Sequence, residues 1–182
     1  SNFQCLTQTK EYALFAPAAV EAEKVFVSSP AMCAVGCRKA LELAVKWVYS
    51  ADSTMSMPYK DNLQSLIHEQ SFRFAVDEDT WSTLPYIIKT GNNAVHTGKT
   101  VTPAEALASL RGLFEFVLWI DYCYGEEYTE RRFDDALIPK EKVIVDTKRI
   151  KEQESLLGEK DAEIEALRKE IAQMSAKFTA AQ

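Results

Sequence analysis

The residues best suited to chemistry are Asn92 and His96, in the run Gly91-Asn92-Asn93-Ala94-Val95-His96. On a helix, residues four apart share a face, and Lys89 falls one turn before Asn92 or Asn93 on the same side. An imidazole takes or gives a proton near neutral pH, an amide orients a phosphate or a ribose, and an ammonium holds a phosphodiester. His96, Asn92 and Lys89 are therefore the candidates for a catalytic or binding role. A structural role fits the same residues: His96 caps a helix C-terminus against the negative end of its dipole, and Asn92 satisfies a buried backbone group. Arg38 and Glu42, one turn apart on an earlier helix, are expected to join Asn92 and His96 in one polar cluster.

Other chemistries find less support. Gly98-Lys99-Thr100 has the ending of a phosphate-binding loop, but that loop needs glycine at position 93, where asparagine stands, and a preceding strand, where the pattern is helical. Only His68 and His96 are available as imidazole ligands. Cys33 and Cys37 share a helix face, yet no second pair or nearby histidine completes a four-ligand set, so no metal site is expected. The four cysteines are too scattered for a disulfide framework and are expected to be reduced. No Ser/His/Asp order, paired carboxylate frame, HExxH or calcium loop is present, and no residues for cofactor binding emerge. Arg131-Arg132 and Lys140 with Lys142 are isolated basic spots in a chain of net charge −6, not a nucleic-acid stripe.

Elements able to hold such a cluster are helical. Tyr12, Phe15, Ala19, Ala22 and Phe26 predict one helix over 9–27. Ser29-Pro30 is an N-cap followed by proline at the first helical position, and Cys37, Leu41, Ala44, Val45 and Val48 then line one side through Ser50. On the opposite side Arg38, Glu42 and Lys46 read as a charge ladder that supports the helix. A short helix is expected over 62–69, and another over 79–96 with Pro85 as a possible kink. Thr102-Pro103-Ala104-Glu105 is a capping-box start for a helix to about Tyr124, apolar nearly all round between Leu113 and Ile120, hence a core element or a subunit interface. The class is all-α: a bundle over 1–140, then a linker and a long helix over 141–182.

Composition fits that division. Apolar residues are 47% of the 182, enough for a packed core, and no apolar run reaches the length of a membrane span. No secretory leader is visible, so a cytoplasmic location is expected. From Thr147 onward, seven basic and seven acidic residues cancel. There Ile150, Leu157, Ile164, Ile171 and Phe178 repeat every seven residues, joined by Leu167 and Met174, a coiled-coil seam through which the chain could self-associate. Gln153, Lys160 and Gly158 weaken its first half.

Several segments in order carry a resemblance: Ser1-Asn2-Phe3, Ala22-Glu23, the run from Cys37 to Tyr49, Pro58-Tyr59-Lys60-Asp61-Asn62-Leu63, Gly91 to His96, and Leu107 to Trp119. Together they resemble the helical N-terminal domain of the R subunit of a type I restriction enzyme, and the tail resembles the connector that follows it. The resemblance implies an accessory domain of an ATP- and Mg2+-dependent DNA translocase and endonuclease. Its partners would be the methylation and specificity subunits and DNA, with the nuclease and helicase parts lying outside these residues. The domain is also similar to HEPN helical bundles, some of which are ribonucleases with an arginine and a histidine on one helix. Here Gly91 stands where that arginine is expected, which leaves Lys89 or Arg38 to supply the cation.

Overall fold

The computed structural model describes residues 1–96 and 98–181, apart from the side chains of residues 156, 157 and 181. Among the described residues there are seven α-helices: α1 Ala16–Lys24, α2 Pro30–Ala51, α3 Leu63–His68, α4 Gln70–Ala75, α5 Glu78–Val95, α6 Pro103–Tyr124 and α7 Thr147–Ala181. No strand occurs among the described residues. The fold is all-α.

The two best-marked helix starts form as their sequences dictate. The Ser29 hydroxyl accepts from the Met32 N–H at 3.2 Å, with Pro30 opening α2. At α6, Thr102 Oγ1 accepts from the Glu105 N–H and Glu105 Oε1 accepts from the Thr102 N–H, each at 3.1 Å, which closes the capping box. The predicted helix over 9–27 is replaced by two 3-10 turns, Gln4–Gln8 and Lys10–Tyr12, followed by α1. Pro17 is the cause: it tolerates the first turn of α1 but would remove a backbone bond and clash within a longer helix. The turns instead wrap Phe3, Leu6, Tyr12 and Phe15 inward, all buried. Beyond α3 the chain forms an additional short helix, α4, whose N-cap is Glu69, accepting from the Ser71 N–H at 2.7 Å.

α2 is the central element, packed against α1, α5 and α6, with α5 also against α6. Cys37, Leu41, Ala44, Val45 and Val48 are buried there as the stripe predicts, and α6 contributes Leu113, Phe114, Phe116, Val117 and Ile120. That face of α6 is therefore core and is not open to a second subunit. Aromatic contacts join the layers: Phe3 meets Phe114 edge-on at 5.7 Å, and Phe72 of α4 meets Phe116 of α6 at 6.1 Å. Burial pushes the Cys37 thiol well above its ordinary value, and Cys33 beside it is equally buried in the core.

α7 does not stand apart from the bundle. It lies along α5 and touches α3. Ile150 packs in a small apolar cluster with Val25, Met32 and Val35, so the seam's first position is taken by the bundle. Leu157, another seam position, lies outside the described side chains. Leu167, Ile171, Met174 and Phe178 are exposed. No helix among the described residues is long and apolar enough to cross a membrane.

Candidate functional site

Arg38 is not on a solvated ladder. It is 3% exposed, because α5 crosses α2 at Gly91 and α7 lies over both. A Cβ placed on Gly91 would come within 2.6 Å of Arg38 Cβ and 3.1 Å of the Ala34 carbonyl oxygen. Glycine at 91 thus lets the two helices close on the arginine, and no larger side chain, an arginine included, fits there without parting them.

The Arg38 guanidinium is surrounded by carboxylates. Its Nη2 donates to Asp161 Oδ2 of α7, and Nη1 lies 3.7 Å from Glu154 of α7 and 3.9 Å from Glu42 on its own helix. Glu42 in turn holds Lys46 at 3.0 Å. Asp161 is 2% exposed. Burial holds its carboxyl above the ordinary range, against the pull of Arg38. Nε and Nη1 of Arg38 have no hydrogen-bond partner, and neither does Oδ1 of Asn92, itself 5% exposed. Gly158 of α7 sits directly above Asn92: a Cβ there would be 3.1 Å from Asn92 Oδ1. The joint between α7 and the bundle is therefore polar, tightly approached and incompletely satisfied.

His96 lies one turn beyond Asn92 along α5. It is the C-cap of α5 and half-buried. With Lys89, Asn92, Asn93 and Lys99 it lines a groove of about 250 Å3, closed on the other side by Ala162, Glu165, Ala166 and Lys169 of α7. Arg38 is not among the groove's lining residues. Asn92 is thus shared: it sits under Gly158 and also borders the groove, while Arg38 with Glu42 and His96 with Lys89 face different surroundings. The imidazole and three lysines could receive an anion, but the one buried cation is already engaged by carboxylates. Among the described residues no group of three or more His, Cys, Asp or Glu could hold a metal ion.

Two further features carry no sequence signature of a site. Asn2 and Glu23, quoted above only for their resemblance, form a buried knot. The Asn2 N–H donates to both Glu23 carboxylate oxygens at 3.1 Å and its amide to Oε2 at 2.7 Å, while the Asp134 N–H donates to Asn2 Oδ1 at 2.8 Å. A second cavity, of about 430 Å3, is lined by Tyr12, Trp47 and Tyr124, by the acids Glu11, Asp121, Glu126 and Glu127, and by Arg131. Asp161 is the residue that sequence reasoning missed; one aspartate among the charges of α7 gives no local sign of burial.

No curated protein and no solved structure matches the chain. One family model does, over a stretch that takes in Arg38, Asn92 and His96 and stops short of Asp161. The chain belongs to that family, Domain of unknown function (DUF4145), over residues 20–153.

Proposed function

We propose that the chain is a non-catalytic docking domain of a type I restriction enzyme R subunit, a bundle that joins the motor's partners to the chain running out along α7. The observation that carries this reading is the buried tie from Arg38 to Asp161, which fixes the direction of α7 relative to the bundle. A helix held this way transmits the position of the bundle to whatever follows it. Full-length protein would bind ATP and Mg2+ in its other parts, act on DNA, and work with the methylation and specificity subunits. The four free thiols support a cytoplasmic location.

The test is a titration of the chain against the methylation–specificity core, with and without duplex DNA, at two salt concentrations. Docking predicts binding to the core with little dependence on salt. Absence of binding in every condition contradicts it, and binding that needs DNA and falls steeply with salt replaces docking by phosphate contact. The second reading is a HEPN-like ribonuclease, favoured by Lys89 and His96 sharing one groove. In it His96 is the base and Lys89 the phosphate clamp. Labelled single-stranded RNA left intact by the wild type and by His96→Ala alike removes it.

A further inference from the structure

α7 docks by the wrong face for an amphipathic helix. Beyond Ile150, its bundle side presents Glu154, Gly158, Asp161 and Glu165, polar or small residues directed at Arg38, Asn92 and the groove. Its apolar residues Ile164, Leu167, Ile171, Met174 and Phe178 cluster about 130° away round the helix at 100° per residue. Leu167 is 47%, Ile171 64%, Met174 63% and Phe178 68% exposed. Every residue from 170 to 180 is exposed, so the last turns stand clear of the bundle for about 16 Å.

We propose that this stripe is the interface for a second copy of this chain, the two α7 helices pairing in parallel as a two-stranded coiled coil. Spacing and residue types argue for this occupant. Ile164, Ile171 and Phe178 take the first core position of successive heptads and Leu167 and Met174 the fourth, and isoleucine at the first with leucine at the fourth favours two parallel strands. In that register Glu163 flanks the seam opposite Arg168 of the other copy, five residues on, an attractive pair repeated by symmetry. Arg168 is half-buried and its Nε lacks a partner within the chain. Because the stripe and the docked face lie on different sides of α7, pairing leaves the Arg38–Asp161 tie in place. The bundles of the two copies would then sit at the same end of a short rod. This inference is independent of the restriction-enzyme reading.

Sedimentation equilibrium or light scattering on the whole chain tests it. The expected result is a reversible dimer with twice the 20.5 kDa chain mass, populated as concentration rises. Leu167→Glu with Ile171→Glu should return the monomer without altering the thermal melt of the bundle, since both side chains are solvent-exposed. Glu163→Arg, which sets like charges across the seam, should weaken association severalfold. Orientation is read with Met174→Cys in a Cys123→Ser background, where oxidation should link the two copies through residue 174. A chain that stays monomeric at the highest concentration overturns the proposal and assigns the stripe to a different protein. A dimer that survives the double glutamate variant, or that fails to cross-link at 174, also overturns it, the first for its surface and the second for its parallel register.

Discussion

Two buried polar nodes hold this molecule together, and they are built differently. At one, Glu23 sits at 0% exposure with its carboxylate receiving the Asn2 backbone and side-chain N–H groups, and Asn2 is tied onward to Asp134. At the other, Arg38 and Asp161 face each other at similar burial while Arg38 Nε and Nη1 and Asn92 Oδ1 go unpaired. The satisfied node fastens the N-terminal turns to the bundle and to the segment after α6. The unsatisfied node joins α7, whose last turns are exposed. A saturated network rigidifies, whereas buried polar atoms without partners lower the stability of the contact that buries them. The first node belongs to folding and the second to positioning, which is why α7 is the element expected to open first.

The comparison can be broken in order of expected effect. Glu23→Ala strands two donors of Asn2 in the core, and thermal or urea unfolding should show a loss of about 3 kcal/mol in one cooperative transition. Gly91→Ala drives a methyl into Arg38 and the Ala34 carbonyl, so α2 and α5 must part, with an expected loss of about 1–3 kcal/mol. Asp161→Ala leaves Arg38 buried without its main partner. In a rigid core that change costs about 3–5 kcal/mol, but here α7 can lift and let water reach the arginine, so the loss should stay near about 1–2 kcal/mol. Helical signal from the first turns of α7 should fall while the melt of the bundle is nearly kept. A loss from Asp161→Ala as large as that from Glu23→Ala would mean that the two nodes are alike.

The smallest expected effect is on pH dependence. Burial lowers the His68 imidazole below its ordinary value of 6.5, opposed by its bond to the Gln64 carbonyl and helped by Arg168 of α7 and Arg73. A base with a depressed folded-state value contributes stability that is present above its unfolded value and lost as pH falls. Stability should therefore decline on acidification from pH near neutral through the imidazole range, and His68→Gln should flatten that decline.

Much of the bundle was legible in the sequence because its signals are local. Ser29-Pro30 and the Thr102 to Glu105 box start their helices by bonds spanning three residues, and the α2 and α6 stripes reflect helical period. The opening helix was misread because the apolar spacing of Tyr12, Phe15 and Ala19 is also satisfied by 3-10 turns, and Pro17 decided between them. α4 was missed because glutamate at its N-cap is outside the usual capping set. At the site, Asn92, His96 and Lys89 were found because their spacing is helical. The burial of Arg38 was not, because it depends on Asp161, 123 residues away in sequence. For the same reason the heptads of α7 suggested one continuous seam, whereas Ile150 serves the bundle and the exposed stripe begins near Leu167.

Native-state hydrogen exchange across a series of low urea concentrations tests the central claim most directly. The account predicts that amides of α7 from Thr147 to about Lys169 exchange through a separate opening of lower free energy, while those of α2, α5 and α6 exchange only with global unfolding. Amides of α7 that exchange together with the bundle core, at the same free energy and urea dependence, would contradict it.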